Sequence, residues 1–341
     1  MIEVLKSNSE LWDIFTRKEE YNPTSLDQYG RFQSTSSNNK NLQTPIVSKY
    51  LLEHGLVPEY PDGHSFAICL THDVDILNHK YETSWIKRTK SSRFVRWAFR
   101  VANRLANPVW TFKEILRIEK EYDAKSSFYF QAFRSDDLDF NYVLEDVVKE
   151  LGIIADSGCE IGLHGSYDAY DDIDKLRSEK RRIERVIGRK VTGYRNHYLR
   201  FKVPTTWRML SEAGFKYDTT MGYAENMGFR NGMCHPFMPF DLEKNQVIDI
   251  VELPLAIMDG TLDSYLKLDV QKAWDAIRPI IDTCKQNKGV FTVLWHNHYF
   301  RGQWKDLYEK ILSYCGENNA WLTNSEQIVD WWKKNNCFEK V

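Results

Sequence analysis

From residue 65 onward the chain alternates short apolar runs with longer stretches whose apolar positions recur every three to four residues. Short apolar runs bounded by turn-forming residues read as buried strands, and helical periodicity reads as amphipathic helix. The pattern predicts strands over residues 65–71, 126–131, 160–163, 191–194, 216–219, 248–254, 290–295 and 320–323. Helices are predicted between most of them, over 109–122, 142–157, 173–187, 205–213, 270–285, 305–314 and 325–334. Such a succession of strand-helix units predicts an α/β fold whose parallel sheet closes as a distorted (β/α)7-8 barrel.

The first 64 residues follow a different rhythm. An amphipathic helix is expected over 9–21, a Ser/Asn-rich loop over 33–41 and a second helical patch over 45–54. The cluster Pro58, Pro61, Asp62 and Gly63 then marks a boundary. The expected organisation is an N-terminal, mainly helical accessory segment, 1–64, followed by the barrel, 65–341. One insertion near 85–108 breaks the barrel's rhythm: residues 87–104 carry Lys87, Arg88, Lys90, Arg93, Arg96, Arg100 and Arg104 without an acid, interleaved with Phe94, Val95, Trp97, Phe99 and Val101. A basic amphipathic helix of this kind either packs its apolar side on the barrel or makes peripheral contact with an anionic membrane or a lipid-linked glycan.

Composition removes some functions. With 46 Lys and Arg against 48 Asp and Glu, the net charge of -2 offers no general attraction for nucleic acid. The aromatic share of 14% serves either an aromatic-rich core or a sugar-binding groove. Six cysteines without a CxxC pair read as free, buried thiols. Residues 1–21 are too interrupted by charge for a signal peptide. No later stretch approaches the ~20 apolar residues of a membrane span, so a cytoplasmic location is expected, at most peripheral to the inner face of the membrane. The oligomeric state is not encoded in any of these features.

Parallel barrels place their reactive groups where strands end, so the residues following each predicted strand are the test. Four of those turns are unusually polar: Thr71-His72-Asp73-Val74-Asp75, His164-Gly165-Ser166-Tyr167-Asp168, Arg195-Asn196-His197-Tyr198 and His296-Asn297-His298. Any one of them could be a helix cap or a satisfied structural group. Four on one rim are different, because converging charges are costly unless paired, protonated or bound to metal. Asp73 and Asp75 share a face of an extended strand, and two close carboxylates call for a cation. His164 supplies an imidazole, and either Asp168, four residues on, or His197, from the neighbouring strand, completes a ligand set. His with carboxylates suits Zn, or otherwise Co, Ni, Mn or Fe.

These motifs resemble the polysaccharide deacetylase family (NodB-like, carbohydrate esterase family 4), over about residues 65–323. The details THDVD, GLHGSY, YRNHYLRF and LWHNHYF resemble a bacterial subgroup linked to surface-polysaccharide assembly. The resemblance implies Asp73 as catalytic base and Asp75 as metal ligand. The family's His-x-x-x-His turn is here His164 followed by Asp168, a departure that leaves the third ligand open between Asp168 and His197. It further implies that Arg195 pairs with the base, that the backbone N–H of Tyr198 helps hold an oxyanion, that His296 is the general acid and that Asp259 orients it. Trp295 and His298, flanking His296, are expected on the substrate side. His72, Arg230 and His235 are rim candidates for which structural roles compete, and the 223–240 stretch either covers a sugar or is a packed connection. The implied activity is metal-dependent removal of acetyl groups from N-acetylated sugars in cell-envelope glycan metabolism. The alternatives are a metal-free sugar-binding pseudoenzyme, prompted by the missing second histidine, and a hydrolase of small non-sugar amides.

Overall fold

The computed structural model describes residues 1–77 and 109–335. The basic stretch 87–104 therefore lies outside the described residues. Eleven strands occur among the described residues: β1 (Phe66–Val74), β2 (Ser127–Gln131), β3 (Glu160–Gly165), β4 (Gly193–Asn196), β5 (Tyr217–Asp218), β6 (Phe240–Asp241), β7 (Gln246–Val247), β8 (Val251–Glu252), β9 (Leu255–Met258), β10 (Val290–Leu294) and β11 (Ala320–Thr323). Strands β6 and β7 make a small antiparallel hairpin. All the others are parallel, in the order β8-β5-β4-β3-β2-β1-β10-β9, with β11 added against β1.

The two ends of that order, β8 and β9, are consecutive pieces of one segment separated by Leu253 and Pro254. The strand expected over 248–254 is thus shortened to Val251–Glu252, and beyond Pro254, which cannot donate to a ladder, a further strand, β9, follows. One half pairs with β5 and the other with β10, so a single bent segment closes the distorted barrel. At the opposite seam, the start of β1 pairs with β11 and its end with β2. Strand β11 fills the gap where β1 and β2 splay apart.

Strand β1 is buried along its whole length, as expected of a central parallel strand covered on both faces. Phe66, Ile68, Leu70 and Val74 join the core beneath the helices, while Ala67 and Cys69 face the barrel interior with Tyr129, Tyr217 and Val251. Alternation puts Asp73 on the interior face too, at the end where the barrel opens. The interior is narrow: a Cβ at Gly162 or Gly193 would collide with the rings of Tyr129 or Tyr217, so only glycine leaves room for those side chains.

Most helices follow the expected periods, but the one expected over 9–21 stops at Thr16, where Arg17 takes φ 53°. The helices are α1 (Ile2–Lys6), α2 (Ser9–Thr16), α3 (Ile46–Glu53), α4 (Phe112–Glu121), α5 (Val148–Asp156), α6 (Ile173–Ile187), α7 (Thr205–Glu212), α8 (Val270–Gln286), α9 (Gly302–Glu317) and α10 (Ser325–Asn335). Asp172 caps α6 by accepting from the N–H groups of Asp174 and Lys175, and Gly188 ends it in the left-handed conformation.

The N-terminal segment is fused to the barrel's core. Leu5, Ile14, Phe15, Val47, Leu51 and Leu56 belong to the same apolar cluster as the barrel helices. Buried Glu20 bridges Arg17 (Oε1 to Nε 2.6 Å) and Arg230 (Oε1 to Nε 2.9 Å), and Arg17 also donates to the Arg230 carbonyl (2.6 Å) and the Tyr223 hydroxyl (3.0 Å). The 223–240 stretch is accordingly a mostly buried connection between segment and barrel, its Phe229 N–H bonded to the Leu42 carbonyl at 2.7 Å.

Candidate active site

The ends of β1, β2, β3, β4, β9 and β10 surround a cavity of about 710 Å³ whose lining includes Asp73, Asp75, Gln131, His164, His197 and His296. At its floor, Asp75 Oδ1 lies 3.1 Å from His164 Nε2 and 3.7 Å from His197 Nδ1. The two imidazole nitrogens are 3.0 Å apart. Donors arranged tetrahedrally about a Zn²⁺ ion, with bonds of about 2.1 Å, stand about 3.4 Å from one another, so these separations suit one shared cation. Among the described residues, Asp75, His164 and His197 are the group whose ligand atoms come close enough to hold a metal.

The surroundings of the three donors match a metal site. Asp73 Oδ2 faces His164 Nδ1 at 3.7 Å, and Asp139 Oδ2 faces His197 Nε2 at 3.4 Å, so each imidazole has a carboxylate behind it. The Gln131 side-chain amide donates to Asp75 Oδ1 at 3.1 Å. Burial opposes charge on Asp75, but the neighbouring His197, His164 and His296 hold its carboxyl well below the usual range. Burial likewise disfavours the cation of His164, and Asp73 and Asp75 outweigh it, raising that imidazole. Buried polar atoms without a hydrogen-bond partner concentrate here: Asp73 Oδ1, Gln131 Oε1, His164 Nδ1 and Arg195 Nε and Nη1. Such atoms carry a desolvation cost that a bound ion or substrate relieves.

Arg195 is fully buried beneath Asp73, with Nη1 3.6 Å from Asp73 Oδ1 and Nη2 donating to Thr219 at 3.0 Å. Across the floor, His296 Nδ1 lies 2.6 Å from Asp259 Oδ1, and the His296 N–H donates to Asp259 Oδ2 at 2.5 Å. Its other nitrogen, Nε2, lies 3.5 Å from Asp75 Oδ2. Burial acts against the imidazolium, yet Asp259, with Asp75 and Asp73, pushes His296 up to about 10. Burial and the neighbouring His296 bring His298 down to about 4, and it lines the cavity wall. Tyr198 and Leu199 follow His197 with φ of 61° and 54°, a left-handed turn at the cavity's edge. Among the described residues the Tyr198 N–H has no hydrogen-bond acceptor.

The structure thus gathers Asp73, Asp75, His164, Arg195, His197, Tyr198, Asp259, His296 and His298. Two expected residues stand elsewhere. Asp168 does not join the ligands: the strand runs on to Gly165 and only then enters a tight turn, with the Ala169 N–H bonded to the Ser166 carbonyl at 3.0 Å, so that the Asp168 carboxylate is exposed and pairs with Arg200 Nη1 at 3.1 Å. Trp295 faces away from the cavity, because alternation along β10 points Leu294 and His296 inward and Trp295 outward onto Trp304 and Tyr308. Its carbonyl accepts from His72 Nδ1 at 2.8 Å, while His72 Nε2 meets Glu119 at 2.9 Å, a satisfied structural histidine. His235 is bonded to Ser48 and the Lys288 carbonyl, each at 2.8 Å, and Arg230 is consumed by Glu20. Three residues went unnoticed in the sequence. Gln131 ends β2 and was detectable by the strand-end test; Asp139 and Arg31, another lining residue, carry no local signal.

No family model matches the chain, and no curated protein matches it. Solved structures do. A putative polysaccharide deacetylase from Mycobacterium smegmatis aligns with TM-score 0.57 and 20% identity over 82% of this chain and 94% of its own. A probable polysaccharide deacetylase from Pseudomonas aeruginosa aligns with TM-score 0.58 and 14% identity, over 83% and 96%. The Puue allantoinase aligns with TM-score 0.59 and 14% identity over 93% of this chain and 99% of its own. The chain therefore has the fold of the polysaccharide deacetylases, a fold that this allantoinase shares.

Proposed function

We propose that this protein is a metal-dependent deacetylase of N-acetylated sugars. The observation that carries the reading is the meeting of Asp75, His164 and His197 beside two carboxylate systems of different kinds, Asp73 with Arg195 and Asp259 with His296. A divalent cation held by Asp75, His164 and His197, with Zn the first choice and Co, Ni, Mn or Fe also compatible, would supply Lewis acidity toward an acetamide carbonyl and a water molecule. Asp73 accepts the proton of the attacking water, with Arg195 as its countercharge. The free N–H of Tyr198 receives the developing oxyanion. His296, whose proton is held firmly beside Asp259, donates to the departing amine, and acetate leaves.

The pseudoenzyme alternative was prompted by the missing second histidine of the His164 turn, and His197 supplies an imidazole in its place. A hydrolase of small non-sugar amides remains a second reading, favoured by the allantoinase likeness, which spans 93% of the chain. Acetate release from lipid-linked, nucleotide-linked and oligomeric N-acetylhexosamines, compared with ring opening of small cyclic amides in the presence of Zn²⁺ or Co²⁺, decides between them. Acetate release that disappears with chelation supports the deacetylase; ring opening alone replaces it with the second reading.

A further inference from the structure

The left-handed turn at Tyr198 needs an outside support. Two consecutive non-glycine residues at positive φ are costly, and such a conformation persists only where its surroundings over-determine it. The support comes from the segment ahead of the barrel. Residues 27–31 form a tight turn in which Asp27 Oδ1 accepts from the N–H groups of Tyr29 (2.8 Å) and Arg31 (2.9 Å), while the Asp27 N–H donates to the Arg31 carbonyl (2.9 Å). Gly30 makes this turn at φ 73°, where a Cβ would also press on the Arg200 guanidinium at 3.2 Å. The turn presents two side chains to Tyr198. The Tyr29 ring stacks on the Tyr198 ring with centroids 4.8 Å apart. Arg31 Nη1 donates to the Tyr198 carbonyl at 3.0 Å, and its Nη2 donates to the Tyr265 hydroxyl at 3.0 Å.

We infer that Arg31 is a positioning residue of the active site: it straps the Tyr198 turn to Tyr265 across one side of the cavity and so fixes where the Tyr198 N–H points. The guanidinium is nearly buried and held by Asp27 Oδ2 at 2.7 Å, so it acts as a fixed bracket and not as a free cation for substrate. Tyr198 and Tyr265 belong to loops following β4 and β9, so one residue of the N-terminal segment sets the spacing of two rim loops. The planar fork of arginine can serve two acceptors in different directions, which the lysine ammonium on its flexible stem does not reproduce. The catalytic half of this role depends on the deacetylase function proposed above; the structural half does not.

Arg31→Ala, Arg31→Lys and Tyr265→Phe test it, each with a melting curve, hydrogen exchange of the Arg200 amide, which closes the turn on the His197 carbonyl at 3.3 Å, Zn²⁺ affinity and acetate-release kinetics. Arg31→Ala should speed exchange at Arg200 and lower kcat about 10- to 100-fold, as small misplacements of reacting groups do. KM should stay within about threefold, and Zn²⁺ affinity should not change. Arg31→Lys should recover little of the loss, and Tyr265→Phe should show the same effects in weaker form. Should Arg31→Ala fail to fold, the other two variants answer the question. Unchanged exchange at Arg200 in a folded variant overturns the strap, and faster exchange with unchanged kcat overturns its positioning role. A native chain that releases no acetate refutes the deacetylase function, and exchange at Arg200 then decides the strap by itself.

Discussion

The two ends of the barrel are built from the same residue types and treat them in opposite ways. At the closed end, Glu160 is fully surrounded: Ser127 donates to it at 2.6 Å, Tyr217 at 2.6 Å and the Glu326 N–H at 3.0 Å. Tyr129 there bonds to both Tyr217 and Ser325. At the open end, Asp73, His164 and Arg195 are equally buried, yet each keeps a polar atom without a partner. Burial and charge therefore do not distinguish structure from function in this protein; isolated unsatisfied atoms occur elsewhere, as at Asn39, Thr292 and Trp295, but around the open end several of them meet at one cavity. A closed network lowers the energy of the fold, whereas an open one leaves valence for a cation, a water or a substrate.

The sharpest test of that contrast is at Asp73. Asp73→Asn should reduce kcat by about 10²- to 10⁴-fold at saturating Zn²⁺, as loss of a general base does, while Zn²⁺ binding measured by calorimetry persists, weakened at most about 10- to 100-fold because Asp73 also stands behind His164. Persisting acetate release would remove Asp73 from the role of base. Next come the ligands. Asp139→Asn should weaken Zn²⁺ about 10- to 100-fold by removing the carboxylate behind His197, and His197→Ala should weaken it further. Asp168→Ala should leave affinity unchanged, and a loss there comparable to that of His197→Ala would reverse the ligand assignment.

At the seam between the N-terminal segment and the barrel, Glu20→Gln takes the paired carboxylate from buried Arg230 and leaves buried Arg17 with Glu19 alone, at 2.7 Å. Denaturant unfolding should show a loss of about 3–5 kcal/mol. A smaller loss would mean that water enters this seam.

The mildest effect belongs to Glu160, whose carboxyl burial pushes up to about 7 despite the Ser127 and Tyr217 hydroxyls. A folded value above the ordinary 4.5 means that the folded protein keeps a proton the unfolded chain has released. Its contribution is complete below pH 4.5 and is lost as pH rises through 7. Glu160→Gln should flatten the decline of stability between those values by about 1–3 kcal/mol, measured by chemical denaturation at successive pH. An unaltered pH profile would show that the closed end is less dry than its hydrogen bonds indicate.

Much of the molecule was legible in advance, for identifiable reasons. Strands such as β3 and β11 and helices such as α6 and α8 were bounded by caps, turn residues and periods that act locally. The strand expected over 248–254 stops at Pro254, and the second half of the closing segment, β9, is not anticipated, because its role appears only when the two halves pair with different neighbours. Asp75, His164, Arg195 and His296 were found because a parallel barrel brings strand ends to one rim whatever the loops do.

What the chain's sequence determined by itself is the alternation of strand and helix, the α/β class and the polar turns that crowd one rim, all consequences of short-range periodicity. Tertiary structure alone decided that His197 and not Asp168 faces Asp75, that Trp295 turns away, that Asp139 stands behind His197 and that Arg31 reaches Tyr198 from 167 residues away. Those outcomes depend on how loops of different strands approach one another in space, and no local period or propensity encodes that distance.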